Sequence, residues 1–87
     1  FMNINILSEI IKKKISNELN YDSLEIQDKT YLHAKHKSHE INKFHIKLIL
    51  KSDDLSKISK ISSTRKIYKV LKTELNKYIH SIQIEII

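Results

Sequence analysis

Histidine is the residue type in this chain with the most chemistry to offer. There are five, and the stretch YLHAKHKSHEINKFH (31–45) holds four of them, His33, His36, His39 and His45; the fifth, His80, stands in YIHSI. Neutral imidazole is a ligand for borderline metals such as zinc and iron. His33, His36 and His39 follow one another at intervals of three, so a helical turn would place them loosely on one side, whereas an extended loop would spread them apart. The spacing matches no paired-ligand zinc signature. An isolated zinc site, ligation shared with a partner, and solvent-facing histidines with no role all remain open.

What is missing narrows the alternatives. The chain has neither cysteine nor glycine, so no thiol nucleophile, nucleophile elbow or glycine-rich phosphate loop can be built. Ser38, His39 and Glu40 are adjacent in sequence, but adjacency is not triad geometry. We therefore read a protein that is not an enzyme. Any metal or cluster must be held by histidine, carboxylate or sulfur from a partner.

The net charge is +6, and all but one of the 16 basic residues are lysine, the exception being Arg65. Lysines scattered along a chain attract anions weakly and read phosphate position poorly, because an ammonium is a hydrated point charge rather than a planar fork. Solvated faces account for most of them, and weak nucleic-acid contact would fall to Arg65 and its neighbour Lys66. The apolar runs are too short to span a bilayer. No signal peptide is recognisable, since the lysines of IIKKKI follow the apolar residues instead of preceding them. The expectation is a soluble intracellular protein with Met2 as its start, cytoplasmic unless a mitochondrial targeting segment has been removed.

The elements that must position the histidines follow from periodicity. Leu7, Ile11, Ile15 and Leu19 recur every four residues, which predicts an amphipathic helix over 5–19. LEIQDKT alternates apolar and polar residues and predicts a strand; HIKLILKS predicts a second, over 44–51. SDDLSKISKISS suits a turn or short helix. Ser63 or Thr64 is the expected N-cap of a helix of about four turns carrying Ile67, Val70, Leu71, Leu75 and Tyr78. Tyr68 and Tyr78 are expected near its buried stripe. IHSIQIEII predicts a closing strand. The sum is one α+β domain over 2–87, in α-β-β-α-α-β order, with helices on one face of a three-stranded mixed sheet. At this length roughly 60% of the unfolded surface is buried.

Taken together and in order, LEIQDKTYLHA, HIKLILKS, TRKIYKVLKTEL and YIHSI resemble the BolA-like family from Leu24 to Ile84. The order and spacing carry the resemblance: Asp28 closing the first strand, a histidine soon after, His45 opening the second strand and a histidine opening the third. It implies the class II KH-like fold. It also implies an adaptor, monomeric alone, that forms a heterodimer with a monothiol glutaredoxin and holds a 2Fe–2S cluster with it and its glutathione, for iron-sulfur trafficking or iron regulation. No cofactor is expected on the isolated chain. Some members are instead described as transcriptional or morphology regulators that touch DNA.

Carried over by position, His80 matches the family's cluster-ligating histidine at the start of the last strand. His33 matches the loop position that is His in some members and Cys in others. His36 and His39 become spare ligands in a loop that is longer than usual, and His45 reads as structure at the opening of its strand. Two motifs depart from the family. Leu55 and Lys57 stand where Phe-x-Gly is usual, and Ser63, Thr64 and Arg65 stand where Arg-His-Arg is usual. Lys57 implies a turn that either avoids positive φ or carries a strain of about 1 kcal/mol. Without glycine, the Gly-x-x-Gly grip of RNA-binding KH domains cannot form. The resemblance also implies a pH dependence, because a protonated imidazole cannot ligate: cluster binding weakens as pH falls through about 6. Visible absorption of the mixed complex should fade toward acid, and a spectrum constant down to acid would contradict imidazole ligation.

Overall fold

Leu7, Ile11 and Ile15 repeat once per helical turn, and all three are fully buried along one stripe of helix α1 (Ile4–Glu18). The computed structural model describes residues 2–30 and 43–87; His33, His36 and His39 lie outside them. Asn3 caps α1, its side-chain oxygen accepting the Ile6 N–H at 2.9 Å, which satisfies one of the orphan amides of the first turn.

Strand β1 (Ser23–Asp28) pairs antiparallel with β2 (Phe44–Lys51), which pairs in parallel with β3 (Ile79–Ile86). The sheet order is β1-β2-β3. Alternation does what the pattern predicts: Leu24, Ile26, Ile46, Leu48, Leu50, Ile82, Ile84 and Ile86 join the core with α1, while Glu25, Lys47, Gln83 and Glu85 stay out of it. On that outer face Lys47 and Glu85 pair at 3.4 Å. β1 ends at Asp28, two residues earlier than LEIQDKT suggested.

Between β2 and β3 run α2 (Asp53–Ser56), α3 (Lys60–Val70) and α4 (Lys72–Lys77). Buried Ser52 begins α2, accepting the Leu55 N–H at 3.3 Å and donating to the Asn20 carbonyl at 2.7 Å, which ties the end of β2 to the turn after α1. Lys57 adopts φ −84° and ψ −11°. No described residue has positive φ, so the turn that replaces the family's glycine carries no left-handed strain.

The long helix departs from its expected start. Its N-cap is Ser59, whose hydroxyl accepts the Ser62 N–H at 3.1 Å, and not Ser63 or Thr64. Ser63 lies within α3, buried and donating to the Lys60 carbonyl at 3.0 Å. The core-facing stripe therefore runs Ser63, Ile67, Leu71, and a small serine occupies its first position where an apolar residue would have marked the helix. Nor is the helix continuous: at Leu71 the backbone opens to φ −99° and ψ 18°, although Leu71 remains buried.

The next inward position is Glu74. Its side chain is 5% exposed and is neutralised by Lys14 of α1, whose ammonium reaches both carboxylate oxygens at 2.9 and 2.7 Å. This pair joins the first helix to the last across the core edge. Removing one member strands a charge, whereas removing both can be nearly neutral. Because the Lys14 side chain is 40% exposed, water screens part of the loss, and Lys14→Met should destabilise by about 2 kcal/mol. Lys14→Met with Glu74→Leu should recover most of that in urea unfolding. The cap assignment is tested the same way: Ser59→Ala should cost about 1 kcal/mol and Thr64→Ala less than half as much.

Candidate functional site

The site is built by a change of phase in β3. Ile79 and Ile82 both belong to the core, yet residues three apart in a regular strand point to opposite faces. The ladder resolves the conflict with one extra residue: Phe44 pairs with Ile79 and His45 pairs with Ser81, leaving His80 with no partner across on β2. Such bulges are rare in parallel pairs and re-aim a side chain. Here the extra residue is the exposed histidine.

His80 does not stand by itself. Its ring lies 4.9 Å from the ring of His45, centroid to centroid, at an interplanar angle of 53°. His45 is 7% exposed and held from several sides. Its N–H donates to Thr30 Oγ1 at 3.1 Å, its carbonyl accepts the Lys29 N–H at 2.7 Å, and its Nδ1 shares a hydrogen bond of 2.7 Å with Ser81 Oγ. Thr30 is fixed in turn, its N–H donating to Asp28 Oδ1 at 3.0 Å. This short turn after β1 thus clamps the head of β2.

On its other side His80 borders an open groove formed with Tyr68 of α3 and Lys72, Leu75 and Asn76 of α4. Tyr68 is 45% exposed there. This corrects the expectation that it lies near the buried stripe; Tyr78, by contrast, packs against the core as expected. Arg65 and Lys66 are exposed on α3, and Lys66 lines a separate groove with Lys14 and Lys69 between α1 and α3. Among the described residues no three His, Asp or Glu converge on a point that could hold a metal. His80 would need its co-ligands from the 31–42 segment or from another molecule.

The family model for BolA-like proteins matches residues 15–87. The chain belongs to the BolA-like family. This BolA-like chain is 30% identical over 80 residues to a Haemophilus influenzae protein described as a DNA-binding transcriptional regulator, covering 92% of the chain and 75% of that relative. Its fold is similar to the BolA domain of SufE1 from Arabidopsis thaliana, with a TM-score of 0.76, 28% identity and coverage of 99% and 93% of the two chains. BolA1 from the same plant gives a TM-score of 0.75 at 22% identity, with 99% and 92% covered, a likeness of fold. The three-stranded mixed sheet with its helices is the architecture expected of a BolA domain.

The sequence singles out His80 as a candidate ligand and His45 as structure at the head of its strand; His45 is indeed buried and hydrogen-bonded there, and its contact with the His80 ring is what sequence reasoning missed. The sequence carries only a repeated apolar–histidine step, Phe44-His45 and Ile79-His80, at the heads of two strands; the contact itself arises from the bulged parallel pairing of β2 with β3, which that step does not encode. Nothing in the sequence marks Thr30 and Ser81 as the groups that hold His45. If the Thr30 hydroxyl satisfies the His45 amide as described, Thr30→Val should destabilise the domain by about 1–2 kcal/mol. Hydrogen exchange at the His45 amide should then speed up about tenfold, 1.4 kcal/mol being a factor of ten.

Proposed function

We propose that this BolA-like protein is a non-catalytic adaptor that pairs with a monothiol glutaredoxin and lends imidazole ligands to a 2Fe–2S cluster held between them. The observation that supports it most is the setting of His80: an exposed imidazole on a strand bulge, backed by a buried ring and opening onto a groove. The donor chemistry fits. A chain without cysteine can supply only imidazole or carboxylate to iron, so the thiolates would come from the partner and its glutathione. His80 would be one ligand. By its match to the family's loop position, His33 would be the second, with His36 and His39 as neighbours able to substitute.

In this reading the cluster is cargo, passed on or sensed rather than used for catalysis. Replacing thiolate by neutral imidazole lowers the cluster's negative charge and tends to raise its reduction potential, as in Rieske-type centres. The groove beside His80 would receive the partner, with Tyr68 as an aromatic anchor of the kind that dominates interfaces and Lys72 offering a cation at its rim. Co-purification with a monothiol glutaredoxin should give a coloured complex. His80→Ala should abolish the colour while leaving the fold intact, and Tyr68→Ala should weaken association about tenfold. A coloured complex unchanged by His80→Ala would exclude this role for His80.

A second reading, a nucleic-acid-binding regulator on the same scaffold, is supported by the net charge of +6 and by the exposed Arg65 and Lys66. The description of the Haemophilus relative points the same way. It predicts binding that falls steeply with salt, a slope reduced by about one in Arg65→Ala, and no effect of His80→Ala.

A further inference from the structure

We infer that His45 is a positioning residue for His80: the His45 ring, oriented by Ser81, sets the direction in which the His80 imidazole leaves the bulge. The inference rests on the reading of His80 as a ligand and assigns it a support that the sequence does not suggest.

His80 is the extra residue of β3, so no residue stands opposite it on β2. An exposed histidine in that position would be free to sample several rotamers, and ordering it would cost free energy when a ligand bond forms. The groups around it limit that freedom. Ser81 follows His80 directly, and its Oγ holds His45 Nδ1 at 2.7 Å, while the His45 ring meets the His80 ring at 4.9 Å. The hydrogen bond, the His80–Ser81 peptide and the ring contact therefore close a small loop of three residues. That loop is anchored, because the His45 backbone is bound at both its N–H and its carbonyl by the turn after β1.

Satisfaction of a buried polar side chain would explain the Ser81 bond by itself, but it would not require the rings to meet. The joint arrangement would act as outer-shell groups do at metal sites, fixing the orientation of a ligand without touching the metal, here through a ring contact instead of a hydrogen bond to the ligand. If positioning is the role, loss of the Ser81 hydroxyl should be felt at His80, whereas a merely structural His45 would leave the His80 imidazole unmoved.

The test uses the full chain with Ser81→Ala, the conservative Ser81→Thr, His45→Phe and His80→Ala. In the protein without partner, proton–nitrogen correlation spectra of the imidazoles report His80 directly. Ser81→Ala and His45→Phe should shift and broaden the His80 signals, and Ser81→Thr should restore them; Ser81→Ala should stay folded with a modest loss of thermal stability, since it removes the hydroxyl bonded to the buried His45 ring. In the complex reconstituted with a monothiol glutaredoxin, Ser81→Ala should change the visible circular dichroism of the cluster and speed its loss about tenfold, the usual size of an outer-shell effect. Folded Ser81→Ala protein with His80 imidazole signals as in the parent overturns the inference, whether or not His45→Phe folds. A cluster spectrum indifferent to His80→Ala instead removes the ligand reading, while the imidazole spectra of the free protein still decide whether His45 orients His80.

Discussion

The constraint on which this structure turns is that Ile79 and Ile82 must both face the helices. β3 begins directly after α4, so Ile79 enters the core at the helix end, and Ile82, Ile84 and Ile86 must line the inner face of the sheet beside β2. The two positions are three apart, an odd step that a regular strand cannot accommodate with both side chains on one face. Inserting His80 as an unpaired residue repairs the phase. The same insertion turns an imidazole outward at a strand head that also borders α4. Hydrophobic burial, the largest favourable term in folding, thus fixes where the polar side chain emerges.

Around that point the packing is supported by charge. Glu74 occupies an inward position of α4 that periodicity would give to an apolar residue, and Lys14 answers it from α1. The Glu74 carbonyl accepts the Tyr78 N–H at 2.8 Å, and the Tyr78 carbonyl accepts the Phe44 N–H at 2.8 Å. The ion pair therefore stands at one end of a short bonded path whose other end is the head of β2, next to His45. The groove that opens beside His80 is lined by Lys72, Leu75 and Asn76 of α4, so its shape depends on α4 being held in place.

Much of this was legible in the sequence where a repeat carried it. The four-residue spacing of Leu7, Ile11 and Ile15 and the alternation of Ile82, Ile84 and Ile86 pointed to a helix and a strand close to those observed. The boundaries of α3 were harder. Ser59, Ser62, Ser63 and Thr64 can all cap a helix, and what decides among them is that Ser63 is small enough to be buried on the stripe ahead of Ile67. Tyr68 was misplaced because it sits next to Ile67 in sequence, yet one residue is a rotation of about 100° on a helix and carries it to the groove. The meeting of His45 and His80 depended on pairing between strands separated by three helices, which no local pattern encodes.

The central proposal is that the His80 end of the sheet receives a monothiol glutaredoxin. Titration of the isotopically labelled chain with a monothiol glutaredoxin, followed by amide chemical shifts, tests it most directly. The account predicts perturbations centred on His80, Ser81, Tyr68 and Lys72, with Lys47 and Glu85 on the outer face and Lys66 in the groove against α1 unchanged. Absence of binding, or shifts centred on Lys66 and Lys14 with His80 silent, would contradict it.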